Sequence, residues 1–293
     1  MSRLQGYLAI IASAIGFSTL ATFGRWAAAD GVNTNSLLFL RFTAAAVVMF
    51  AICLARGEKL PAPRSLWPLV GMGAIGYVGQ ATCYLTALQY ASAGLVALLL
   101  YIYPVLVAVL SVIFLRDRMT WPRVLALGLA LAGVALTAGP VSGEWRGIAL
   151  GLGAAGIYSV YIIVGDRVLA AVSPWMSSAV IFASAGAMAG VLMLIGGVAF
   201  PATSAGWGAM AGIVTLATLV PVSLFLLGVS RVGATNAALL STLEPIATAL
   251  LAAWAFGEQL SVWSLIGGAL ILLATVVVVL GRDRRAPATT SVA

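Results

Sequence analysis

Apolar runs of about 20 residues recur from one end of this chain to the other, each long enough to cross a hydrocarbon layer of roughly 30 Å as a helix. A backbone inside lipid must satisfy its hydrogen bonds within a helix or a closed barrel, so these runs constrain the fold more than any short motif. Barrel strands alternate apolar and polar residues over segments of about ten. Here the runs are apolar on every face, which predicts helices. Of 293 residues, 62% are hydrophobic and 8% are charged, against roughly 25% charged in a soluble domain. The chain reads as an all-α integral membrane protein with ten transmembrane helices.

The expected spans lie near residues 5 to 28, 36 to 55, 66 to 89, 93 to 115 and 121 to 139, then 147 to 169, 175 to 199, 206 to 229, 234 to 256 and 262 to 281. The connections are too short for a separate soluble domain. Residues 282–293 read as a disordered cytoplasmic tail. The first run begins with Arg3 in the manner of a signal peptide, but further spanning runs follow at once, so it reads as a retained first helix.

The formal charge of +7 comes from basic residues scattered at helix ends. They form no patch with interleaved aromatics, which argues against a nucleic-acid partner. Their distribution reports orientation instead. With the N-terminus in the cytoplasm, the inner side collects Arg3, Arg56, Lys59, Arg64, Arg116, Arg118, Arg123, Arg167, Arg231, Arg282, Arg284 and Arg285. The outer side keeps Arg25, Arg41 and Arg146, so twelve against three favours both termini inside.

Displacing the chain against itself by 141 residues superimposes its halves without gaps. Gly6 falls on Gly147, Ser18 on Ser159, Ala93 on Ala234, Leu98 on Leu239, Leu99 on Leu240 and Pro104 on Pro245. The shared offset and the matched prolines define two five-helix units, 1–139 and 147–281. An odd number of spans per unit turns the second copy over. The loops agree, because Arg116, Arg118 and Arg123 have no basic counterparts around Gly257, Glu258 and Gln259. Two inverted halves that rock about a central site make a carrier.

Catalysis has little support. There is no histidine, the commonest general base, and no paired carboxylates stand inside a span. Cys53 and Cys83 sit in apolar helices as small packing residues, with no metal site and no cofactor implied. Two GxGxxG matches, Gly71, Gly73, Gly76 and Gly151, Gly153, Gly156, lack the strand and acidic residue of a dinucleotide site. They read as contacts where helices approach closely.

Glu244 is the acid that falls well inside a span, where a charge costs roughly 2.5 to 3.5 kcal/mol. It is either a cavity acid that meets a substrate ammonium or a proton, or a carboxyl held by Ser241, Thr248 or backbone freed by Pro245. Arg41 lies shallowly enough in the second helix to snorkel to the interface. Tyr77, Gln80 and Tyr84 share one face of the third helix, Tyr158 and Tyr161 share a face of the sixth, and Tyr101 and Tyr103 approach Pro104. Their hydroxyls need partners, which points them at a cavity rather than lipid. Tyr84 and Tyr90 are also placed for an interfacial belt, a role that suits Tyr90 better.

The segment from Ala237 to Leu272, with its Glu244-Pro245 pair, Gly257-Glu258 turn and glycine-rich last helix, resembles the signature of EamA-type carriers in the drug/metabolite transporter superfamily. A degenerate first copy surrounds Tyr103-Pro104 and Arg116-Asp117, and the resemblance covers the whole chain. Overall it is similar to the bacterial aromatic amino-acid exporter branch. The resemblance implies a multi-pass carrier of the bacterial inner membrane that moves small metabolites outward through a central cavity lined by helices 1, 3, 4, 6, 8 and 9. It carries Glu244 over as the family's recurring acid.

The expected substrate is a neutral amino acid, aromatic or otherwise apolar, bound by Tyr77, Gln80, Tyr84, Tyr101, Tyr103, Tyr158, Tyr161, Ser241 and Glu244. Efflux of lipophilic cations is the alternative, since tyrosine faces and one acid also suit cation-π capture. A membrane enzyme and a scaffold fit less well, the first for want of catalytic groups and the second for want of extramembrane surface. The expected partners are the substrate and the lipid bilayer, and a monomer is compatible with the sequence.

Overall fold

The structure, a computed structural model, describes residues 3–137, 142–257 and 261–280. Glu258, Gln259 and the tail 282–293 therefore lie outside the described residues. Each apolar run becomes helix. The first is α1 (Arg3–Ala29), followed by α2 (Thr34–Ala55), which Asn33 caps by accepting from the Ser36 amide at 2.8 Å. Next, α3 (Pro63–Gly71) runs through a π-helical turn, Met72–Tyr77, into α4 (Val78–Ala87). Ser92 caps α5 (Ala93–Leu100), and α6 (Tyr103–Leu115) and α7 (Trp121–Thr137) complete the first half.

The second half runs α8 (Trp145–Val168), α9 (Pro174–Gly196) and α10 (Ser204–Val214). A π-helical turn, Thr215–Leu219, leads into α11 (Val220–Val232). Then come α12 (Ala234–Ser241), α13 (Glu244–Phe256) and α14 (Val262–Leu280). Eight helical stretches are long and apolar enough to cross a membrane, and α7 is a shorter apolar helix.

Two of the expected spans, 93 to 115 and 234 to 256, each remain one stretch long enough to cross a membrane but are interrupted by a turn. The cause is local: Pro104 and Pro245 have no amide hydrogen for the preceding turn, so each restarts a helix in its own first turn. The freed backbone tightens instead, with Ile102 N donating to Leu99 O and Thr242 N to Leu239 O, both at 3.3 Å. Arg116 and Gly257, which the 141-residue offset pairs, both cap their helices in the left-handed region, at φ 53° and 67°.

Packing joins the halves throughout. α2 lies along α9 and α7 along α14; α1 packs on α11 and α13, while α8 packs on α4 and α6. The interior is filled by Phe42, Met49, Ile181, Phe182, Leu226, Leu239 and Leu240, all fully enclosed. At one rim, Asp30 accepts from the Thr203 and Ala202 amides and the Thr203 hydroxyl, tying the end of α1 to the start of α10. These bonds, the Thr203 amide foremost, hold its carboxyl below the usual carboxylate range.

The first GxGxxG segment acts as a close contact. A Cβ on Gly73 would stand 2.2 Å from Ile181 O and 2.0 Å from Ser184 Oγ of α9, whereas Gly71 faces open space. Gly73→Ala should therefore lower stability by about 1–3 kcal/mol. Gly71→Ala should be neutral or stabilising by about 0.5–1 kcal/mol, as an alanine inside a helix is. Thermal unfolding of the two purified variants checks the contrast, and equal midpoints would refute it.

Candidate functional site

Five of the sequence-predicted tyrosines form one continuous row of rings between α4, α6 and α8. Tyr77, at the end of the first π-turn, meets Tyr161 edge-on at 5.9 Å between centroids. Tyr161 stacks on Tyr158 at 5.9 Å, one helical turn away on the same face of α8. Tyr158 meets Tyr103 at 4.8 Å, and Tyr103 lies 6.2 Å from Tyr101. Glycine makes room for this row: a Cβ on Gly76 would press within 3.1 Å of the Tyr161 ring.

The row is tied to the backbone around it. Tyr103 donates its hydroxyl to Ala238 O of α12 at 3.2 Å, and Ser159 donates to both Ala155 O and Tyr103 O. These bonds hold α6 between α8 and α12. The break at residues 101 and 102 is what lets Tyr101 and Tyr103 lie on the same side, since residues two apart on an unbroken helix diverge.

Glu244 opens α13, where the free amides and dipole of a helix start favour a negative charge. It is surrounded by protein but only half-buried, and it makes no hydrogen bond or ion pair with the described residues. Its carboxylate acts electrostatically on Tyr77, Tyr84, Tyr101, Tyr103 and Tyr158. The expected alternative, a carboxyl held by Ser241 or Thr248, is not what forms. Ser241 is buried and donates to Ala237 O at 2.9 Å.

Tyr84, Tyr101 and Tyr158 are half-buried, and their hydroxyls have no partner among the described residues. They are not among the fully enclosed unpaired atoms, so, like Glu244, they keep some accessible surface. Gln80 is half-buried one turn beyond Tyr77 and also makes no hydrogen bond to the described residues. No ring contact links Tyr84 or Gln80 to the tyrosine row.

Arg41 overturns its sequence reading. It is 3% exposed and points inward rather than to the interface. Its Nε donates to the Thr218 hydroxyl in the second π-turn at 3.0 Å, and its guanidinium lies 4.6 Å from the Phe42 ring centroid and 5.8 Å from that of Tyr77. One signal was present in the sequence: an arginine eight residues into an apolar helix, flanked by no other charge.

Other polar groups tie helix ends. Arg123 donates to Asp117, to Arg118 O and to Asn236, joining the α6–α7 connection to α12. Tyr90 lies at a rim beneath Arg146, at 5.9 Å, as an interfacial residue would. Among the described residues no cluster of histidine, cysteine or acidic side chains has the make-up of a metal site. A groove of about 560 Å³ between α2 and α9, lined by Phe39, Thr43, Phe50 and Gly186 among others, lies apart from the tyrosines.

Long apolar helices that enclose a row of tyrosines and an acid make a membrane body of the kind that carriers have. The chain belongs to the EamA-like transporter family, whose model matches residues 4–139 and again residues 145–280.

Among its relatives, an uncharacterized transporter of Archaeoglobus fulgidus is 29% identical over 93% of this chain and 95% of its own. The aromatic amino acid exporter YddG of Ancylobacter novellus is 28% identical over 53% of this chain and 58% of its own. A probable terminal-alkyne amino-acid exporter of Streptantibioticus cattleyicolor is 29% identical over 37% of each chain. A solved crystal structure superposes with a TM-score of 0.81 at 23% identity, covering 95% of this chain and 98% of that one, which shows a shared fold.

Proposed function

We propose that this transporter exports neutral amino acids, aromatic and other apolar ones, across the bacterial inner membrane by alternating access. Its ten spans form two inverted five-helix repeats with both termini in the cytoplasm. The observation that carries the substrate reading is the tyrosine row beside Glu244: a long apolar surface with free hydroxyls and a single acid. Such a surface suits an apolar side chain, while the hydroxyls and the carboxylate suit a backbone ammonium.

The repeat reading is supported by the two family matches and by the paired packing of α1 on α11 with α8 on α4. Two relatives named as amino-acid exporters support the substrate class. Selectivity should be broad, because ring surface discriminates size by only about 1–3 kcal/mol per methylene.

The test is transport by purified protein in liposomes, with labelled phenylalanine, leucine, lysine and glutamate, and with imposed proton and sodium gradients in turn. Phenylalanine and leucine should move, and the two charged amino acids much less. Movement of quaternary ammonium compounds with no movement of any amino acid would overturn the substrate and favour cation efflux.

A further inference from the structure

Arg41 poses a physical problem that the tyrosine row alone does not resolve. A guanidinium shut away from water needs an anion or a full set of acceptors, since an unpaired buried charge is among the costliest groups a protein can hold. Among the described residues no carboxylate stands within ion-pair distance of Arg41, and its Nη2 is fully enclosed with no hydrogen-bond partner. The side chain is nevertheless held firmly. Thr218 uses its own hydrogen on Ile213 O at 2.7 Å, which leaves its oxygen lone pair facing Arg41 Nε.

A second enclosed group also lacks a partner. The Tyr161 hydroxyl is buried and unpaired, and Tyr161 packs against the same Tyr77 ring that Arg41 approaches. Tyr77 interacts with Arg41 through its hydroxyl as well as its ring, and Glu244 acts on it electrostatically. Arg41 thus stands at the Tyr77 end of the row, and no ion pair joins it to Glu244.

We infer that Arg41, together with the Tyr161 hydroxyl, is the receptor for the substrate's carboxylate, and that Glu244 faces its ammonium. This rests on the amino-acid reading above and adds the pole that the sequence missed. A carboxylate has two oxygens, which take the Arg41 Nη2 and Tyr161 hydroxyl donors now left over. A zwitterion brings an anion to Arg41 and a cation to Glu244, the opposite charge that each lacks among the described residues. A lipophilic cation would leave Arg41 uncompensated and would be repelled by it.

The experiment is ligand binding to the purified full chain, followed by tryptophan fluorescence. Three probes separate the poles: phenylalanine, 3-phenylpropionate, which lacks the ammonium, and phenethylamine, which lacks the carboxylate. Arg41→Gln should weaken the two carboxylates about tenfold or more and leave phenethylamine within about twofold. Tyr161→Phe should weaken the same two ligands to a smaller degree, and it serves as the test should Arg41→Gln not fold.

Carboxylate binding unchanged in both variants would overturn the assignment. So would equal weakening of all three probes, which marks a structural role for Arg41. Sodium chloride that displaces 3-phenylpropionate by occupying the site would make it a halide site and overturn it as well. The two proposals fail separately. A wild type that binds 3-phenylpropionate through Arg41 but moves no amino acid in liposomes sinks the exporter alone. Amino-acid transport untouched by Arg41→Gln sinks the carboxylate receptor alone.

Discussion

Glu244→Gln should abolish most amino-acid transport while leaving the protein folded. The substitution keeps the size of the side chain and its place at the start of α13, and it breaks no hydrogen bond, because Glu244 makes none with the described residues. Stability should even rise slightly, since a charge inside a span costs roughly 2.5–3.5 kcal/mol on insertion scales and the amide carries none. The amide loses the charge that an ammonium or a transferable proton would meet. A charge-assisted hydrogen bond contributes about 1.5–3 kcal/mol, which is a fall in transport of roughly 10- to 100-fold. Uptake into liposomes measured beside a thermal unfolding curve checks both halves. Full transport by a stable Gln variant across a range of pH would leave Glu244 with a packing role only.

The second large effect is expected at Tyr158, which stands in the middle of the ring row. Its ring stacks on Tyr161 and meets Tyr103 edge-on, and each such aromatic pair contributes about 0.5–1.5 kcal/mol beyond area burial. Tyr158→Ala should raise the apparent KM for phenylalanine about tenfold or more and leave smaller amino acids less affected, because the lost surface is the part a large side chain covers. Tyr158→Phe separates ring from hydroxyl. That hydroxyl has no hydrogen-bond partner among the described residues, so folding should not change, and any loss of transport in the Phe variant reports a bond to substrate. Tyr103→Phe is the contrasting case. Its hydroxyl bonds Ala238 O across to α12, so stability should fall by about 1 kcal/mol. Equal phenylalanine KM values for wild type and Tyr158→Ala would remove the tyrosine row from the substrate path.

The sequence by itself determined those features that depend on neighbours along the chain. Apolar runs alone set where helices form, and the prolines at 104 and 245 marked where two of them break, although the breaks themselves were not expected. Face-sharing of Tyr158 and Tyr161 follows from helical periodicity, and their rings stack. Reading the glycines at 71, 73 and 76 as packing contacts holds for Gly73, against α9, and for Gly76, against Tyr161, but not for Gly71, which faces open space.

Tertiary structure decided everything that depends on how a helix is turned about its own axis. Hydropathy cannot report that angle, because a span that is apolar all round carries no stripe to orient it. Arg41 sits at a depth from which a long side chain reaches either the interface or the interior, and packing of α2 against α9 and the second π-turn turned it inward. The π-turns themselves shift the helix face by part of a turn with no residue signature to announce them. Tyr77, Tyr103 and Tyr161 were legible as members of three separate helices. That they touch in one row, and that Glu244 and Arg41 form no ion pair with each other, are consequences of the assembled bundle. Contacts between residues more than a hundred positions apart are set by the packing of whole helices, which no local pattern encodes.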